Sequence, residues 1–155
     1  MARIPVVIDI AFGDALEPGV EDVDLPVLLD FPRPHLRAYA RETVIAEKFQ
    51  AMVALGLANT RLKDYYDIWM LSRMYEFDAD RMVRALTATF RRRGTEIPVD
   101  VPEGLSGAFA ISLGKQAQWA AFVRDLAVAA PSLEIVCADI AAFLMPYAAA
   151  AASRV

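Results

Sequence analysis

The chain has 155 residues, with 16 Lys and Arg against 20 Asp and Glu, one His, one Cys and a formal net charge of −4. That length suits one domain with a core of its own, and 57% hydrophobic residues with 23% charged exclude intrinsic disorder. The single cysteine excludes a disulfide framework and a multi-cysteine zinc site, and the acidic balance excludes non-specific nucleic-acid binding by the surface as a whole, leaving only a local basic patch for that role.

Residues 4–12 read I-P-V-V-I-D-I-A-F, a β-branched apolar run closed by Gly13-Asp14, which predicts a buried strand interrupted by Asp9. A carboxylate in such a strand needs a cation, a metal or solvent at an open face. Residues 15–24, with Pro18, Gly19 and an acidic run, predict a loop. Residues 25–29 and 36–39 predict two short strands, connected through Phe31-Pro32-Arg33-Pro34 because proline removes a ladder donor.

From Thr43 the period changes, and Ile45, Phe49, Met52 and Val53 define an amphipathic helix ending near Gly56. Asn59 or Thr60 is an N-cap candidate for the next helix, whose core stripe is Tyr65, Ile68, Trp69 and Ser72, with Leu71 and Tyr75 beside it. Asp78 caps a third helix that buries Met82, Leu86 and Phe90 and stops at Gly94. Residues 95–102 are a proline-bounded connector. Short helices follow at 103–109 and 113–126, and Pro131-Ser132 opens a last helix through Leu144, stopped by Pro146, with an Ala-rich tail. The uncharged stretch 140–153 is too short to span a bilayer, and no targeting signal opens the chain. The expected setting is cytoplasmic, with no membrane partner.

Four stretches carry chemistry. They are V-I-D-I-A-F-G-D at 7–14, E-T-V-I-A-E-K at 42–48, N-T-R-L-K-D-Y-Y-D at 59–67 and T-F-R-R-R-G-T at 89–95. Together, in this order, they resemble the AbiEii/AbiGii toxin family of nucleotidyltransferases from type IV toxin–antitoxin systems, over nearly the whole chain. The resemblance implies an α+β fold. A small mixed β-sheet, the remnant of a nucleotidyltransferase sheet at 1–40, precedes a mainly helical C-terminal part at 41–155, the two forming one unit. That fold places a Gly-Ser turn and an Asp-x-Asp pair ahead of the strand with the third carboxylate. Here the strand with Asp9 comes first. Asp22-Val23-Asp24 has the letters but follows that strand without a Gly-Ser turn, so the resemblance implies the family's C-terminal portion, lacking its first metal-binding motif.

The implied activity is transfer of a nucleotide from an NTP to an RNA acceptor such as tRNA, with Mg²⁺, and an antitoxin acting indirectly. The resemblance assigns Asp9, Lys48 and Asp64 as catalytic, Asp9 as the metal carboxylate, and Lys48, Lys63, Asp67 and Arg61 to the nucleotide. The alternative is a non-catalytic module binding nucleotide, RNA or a partner protein. From the residues alone, Asp9 can equally be an exposed strand-end acid, Lys48 a solvated helix lysine, Asp64 a first-turn acid complementing the helix dipole, and Lys63 and Asp67 a surface i,i+4 pair. Arg91-Arg92-Arg93 complements a helix C-terminus or meets RNA phosphates. His35 reads as structural, Cys137 as buried and inert, and Trp69 and Trp119 as core. A first strand without neighbours would leave an exposed sheet edge through which chains self-associate.

Overall fold

The computed structural model describes residues 16–124, 126 and 130–154; within them a β-hairpin precedes six α-helices, an α+β chain with its helices after its strands. Strand β1 is Val20–Asp24 and β2 is His35–Tyr39, paired antiparallel with Val20 opposite Tyr39 and Asp24 opposite His35. The strand expected at residues 4–12, and Asp9 with it, lies outside the described residues.

The hairpin departs from the sequence expectation. The acidic segment taken for a loop forms β1, and residues 25–29 form no strand. The sheet among the described residues is two-stranded and antiparallel. Across the ladder Asp22 lies opposite Arg37 and Asp24 opposite His35, with His35 Nδ1 2.8 Å from Asp24 Oδ1, and polar cross-strand pairs of this kind stabilise a ladder. Glu21 and Val23 turn to the half-buried face. The ladder continues one step beyond, from Leu25 N–H to the Pro34 carbonyl at 2.9 Å, and Pro26, with no N–H to give, ends it.

The helices are α1 Arg41–Leu55, α2 Leu62–Met74, α3 Ala79–Arg93, α4 Gly107–Ile111, α5 Leu113–Val123 and α6 Leu133–Ala152. Most of the expected apolar stripe is buried, with Val53, Trp69 and Ser72 at its half-buried margin: Ile45, Phe49 and Met52 of α1 meet Met82, Leu86 and Phe90 of α3, the Phe49 and Phe90 rings 5.6 Å apart. Full burial of each such side chain is worth about 1.5–3 kcal/mol. Helix α3 has both expected ends. Asp78 accepts from the Arg81 N–H at 2.8 Å, and Gly94 takes the left-handed conformation at φ 60° that lets its N–H return to the last turn. The N-cap of α2 is Arg61, not Asn59 or Thr60; Asn59 instead accepts from the Arg61 N–H at 2.8 Å.

Helix α6 overrides its proline. Pro146 lies inside a 20-residue helix that continues to Ala152. The missing N–H forfeits one intrahelical bond, but Leu144 before it and Ala148 and Ala151 after it are fully buried, so packing on both sides keeps the axis running. By length and composition this helix, with mean hydropathy 1.8, could cross a membrane, contrary to the shorter stretch read from sequence. Its Val136, Cys137, Ile140 and Leu144 belong to the core shared with α1 to α4.

Polar contacts tie the hairpin to the helices. Arg81 donates to Glu42 Oε1 at 3.0 Å and also to Glu21, while Arg84 donates to Glu17 at 2.8 Å and Thr43 Oγ1 donates to the Glu17 carbonyl at 2.6 Å. One backbone approach is close: a Cβ on Gly104 would stand 2.6 Å from the Met52 carbonyl oxygen, and the buried Tyr65 hydroxyl donates to the Gly104 carbonyl at 2.8 Å.

Two substitutions test this seam. Gly104→Ala should destabilise the chain by about 1–3 kcal/mol through overpacking, and Tyr65→Phe by about 1–2 kcal/mol through an orphaned buried carbonyl. Both should lower the urea midpoint at constant m; a Gly104→Ala midpoint equal to wild type would disprove the close approach.

Candidate functional site

The side chains from the second and third motifs meet where α1 faces the first turns of α2. Lys48 follows Ile45 by one helical turn, so it sits at the edge of the buried stripe of α1. Asp64 and Asp67, three apart on α2, share the face that meets it. Lys48 Nζ donates to Asp64 Oδ1 at 2.5 Å and to Asp67 Oδ2 at 2.9 Å. Lys63 reaches the same Asp67 oxygen at 2.6 Å. Arg61 Nε stands 2.7 Å from Asp64 Oδ2 as an ion pair whose N–H is out of line for a hydrogen bond, so that buried oxygen has charge beside it and no aligned donor.

Burial divides the five groups into two shells. The Asp64 side chain is 7% exposed and Lys48 18%, whereas Arg61 is 59% and Lys63 72% exposed. Three cations against two carboxylates leave a formal excess of one positive charge, presented by Arg61 and Lys63. Burial alone would lower the Lys48 pKa, but the hydrogen bonds and charges of Asp64 and Asp67 outweigh it and hold the ammonium above its ordinary value. For Asp67, burial pushes upward, and the hydrogen bonds from Lys63 and Lys48 win, holding the carboxylate below its ordinary range.

This donor set does not fit a divalent metal. A hard dication needs several oxygen ligands free to turn toward it, and here Asp64 and Asp67 are held by Lys48, Lys63 and Arg61. Among the described residues no other group of three or more His, Cys, Asp or Glu could hold one either. The cluster suits an anion, met by exposed guanidinium and ammonium groups on the first turn of a helix whose N-terminus has no side-chain cap.

The structure thus brings together Lys48, Arg61, Lys63, Asp64 and Asp67, while Asp9 lies outside the described residues. Asp22 and Asp24 stand on the exposed hairpin with His35, whose Nδ1 is 2.8 Å from Asp24. Of the arginines closing α3, Arg93 donates to Glu47 at 2.8 Å, beside Lys48 in sequence. Cys137 is buried, with its thiol pushed up to about 12 by burial and by Glu134. Trp119 is buried and donates to the Pro131 carbonyl at 2.9 Å; Trp69 is half-buried and donates to Asp139 at 2.9 Å. Sequence reasoning missed Glu42 and Glu47. Both lie in the quoted second motif, and their signal was an acid on the core side of an amphipathic helix, which demands a cation from elsewhere.

A family model described as "Nucleotidyl transferase AbiEii toxin, Type IV TA system" matches residues 1–150. No curated protein and no solved structure matches the chain.

The ion pairs make stability depend on pH at both ends. The Asp67 contribution is complete above the ordinary carboxylate value of 3.8 and is lost as pH falls through its lower folded value. The Lys48 contribution is complete below 10.5 and is lost as pH rises through its higher folded value. Asp67→Asn should flatten the acid limb of unfolding free energy against pH. Lys48→Met should cost about 3 kcal/mol at neutral pH, the low end for breaking a buried pair, because Arg61 stays beside Asp64. Chemical denaturation across pH reads both; an unchanged acid limb in Asp67→Asn would show that this pair carries no stability.

Proposed function

The chain belongs to the AbiEii nucleotidyltransferase toxin family of type IV toxin–antitoxin systems, and from that premise we propose that it transfers a nucleotide from an NTP to a tRNA-like RNA acceptor, with the α1–α2 cluster as its phosphate site. Membership implies a nucleotide substrate and an antitoxin. The observation that supports the cluster is its two shells: Lys48, locked between Asp64 and Asp67, and Arg61 and Lys63 standing outward with a positive excess.

The division assigns different work to residues that the sequence places side by side. Lys48 is engaged by both carboxylates and positions them. Asp64 and Asp67 in turn hold Arg61 and Lys63 over the α2 N-terminus, where phosphate oxygens are bound by charge-assisted hydrogen bonds and helped by the helix dipole. Arg61, with a planar fork of donors, suits two oxygens of one phosphate, and Lys63 acts as a point charge. Nucleotidyltransferases of this kind usually use divalent metals. With both carboxylates of the cluster held by cations, its own share of the chemistry is to bind and orient phosphate. Asp9 is our candidate for the metal carboxylate, and the cytoplasm, where NTPs and tRNA are held, for the setting. The cation-held carboxylates also favour a second reading, a module that binds nucleotide without turnover.

The test is labelled NTP with Mg²⁺ and total tRNA, beside direct NTP binding. Lys63→Ala should weaken NTP binding several-fold while leaving the melting temperature unchanged, whereas Arg61→Ala, which removes the charge beside the buried Asp64 Oδ2, and Lys48→Ala should weaken binding and stability together. Labelled RNA that disappears in Asp9→Ala supports transfer. NTP binding without labelled RNA supports the binding module, and no NTP binding by the wild-type chain overturns both.

A further inference from the structure

The loop between β1 and β2 carries apolar side chains with nothing over them. Leu28 is 103% exposed, and Leu29 and Phe31 are each 67% exposed. Solvated side chains of this size on one loop tip mark an interaction site when a surface of matching shape and charge exists.

Such a surface lies along α3. Between the end of that helix and the end of α6 runs a groove of about 470 Å³, walled by Thr87, Ile97 and Ala152 over the buried Phe90 ring, with Arg91 and Glu96 among its charged lining. The Ala-rich end of α6 leaves the groove open, since Ala152 brings only a methyl to the wall. A volume in the few-hundred Å³ range accepts two or three large side chains.

Tip and groove are complementary in charge as well as in polarity. The tip reads Leu28-Leu29-Asp30-Phe31-Pro32-Arg33, apolar knobs with one acid and one base. The groove is apolar with one base, Arg91, and one acid, Glu96. Within the chain, Asp30, Arg33, Arg91 and Glu96 have no ion-pair partner among the described residues. Each sign on the tip therefore has an unspent opposite on the groove.

We infer that the hairpin tip of one copy docks in the α3–α6 groove of a second copy, with Leu28, Leu29 and Phe31 entering the groove, Asp30 meeting Arg91 and Arg33 meeting Glu96. One such contact is small, and a two-fold arrangement makes it twice, tip to groove and groove to tip, in a closed dimer. Apolar burial supplies the association, and the two ion pairs set the register, because exposed pairs are worth little in affinity and more in orientation. The inference stands apart from the phosphate cluster and from any sheet edge.

The experiment is sedimentation velocity of the full chain over a concentration series, with far-UV circular dichroism to confirm folding. The wild type should pass from monomer to dimer as concentration rises. Leu28→Asp and Phe31→Asp, at exposed positions that leave the core untouched, should each stay monomeric. Arg91→Glu should weaken the dimer several-fold, and adding Asp30→Arg to it should restore the wild-type value, a rescue that general stickiness would not give. Three results would overturn the inference: a wild type monomeric throughout, a dimer indifferent to the tip and groove substitutions, or a monomer whose tip instead carries it onto lipid vesicles.

Discussion

A lysine ammonium caught between two carboxylates fixes where the second helix of this protein begins. Lys48 contacts Asp64 and Asp67, one helical turn apart on α2, so the rotation of α2 about its axis and its height against α1 are set together. For Lys48 and Asp67 the hydrogen bonds and charges within the group outweigh the cost of burial. The group also acts as a register device: a slip of either helix would leave Asp64, 7% exposed, without its cations. Arg61 and Lys63 inherit their positions from that constraint.

Around it the apolar packing is ordinary and supplies the stability. Helix α1 lies between α2 and α3, burying Phe49 against Phe90 on one side and offering Lys48 to α2 on the other. Glu47, the residue before Lys48, turns about 100° away and takes Arg93 from the end of α3. Two consecutive residues of one helix thus tie it to the start of α2 and to the end of α3. The hairpin joins this body through Arg81 and Arg84, whose partners Glu21 and Glu17 are among the acids that make β1 and its approach look like a loop in composition, while Arg81 also holds Glu42 of α1.

The helical half was legible because its signals are local. The 3.6-residue spacing of Met82, Leu86 and Phe90, the cap at Asp78 and the stop at Gly94 depend only on neighbours in sequence, and each appears as read. The hairpin was not, because β1 is held by its ladder with β2, from Val20 opposite Tyr39 to Asp24 opposite His35, and pairing at that separation has no local trace. Pro146 was misread for a related reason: its local effect is to stop a helix, and Ala148 and Ala151, buried beyond it, keep the helix running.

For the candidate site, the sequence determined the residue types and their grouping on two helices: a lysine on α1, and Arg61, Lys63, Asp64 and Asp67 within seven residues of the third motif. It also determined that Asp64 and Asp67 share a face, since three residues is nearly one turn. Only the tertiary structure decided that Lys48 meets both of them, that Lys48 and Asp64 lie inside while Arg61 and Lys63 face water, and that both carboxylates are held by cations. Those facts depend on how far apart two helices pack and which way each is turned. The separation follows from the summed burial of Phe49, Tyr65, Ile68 and Phe90 across the whole core and the register from the Lys48 contacts, and no window of sequence contains both.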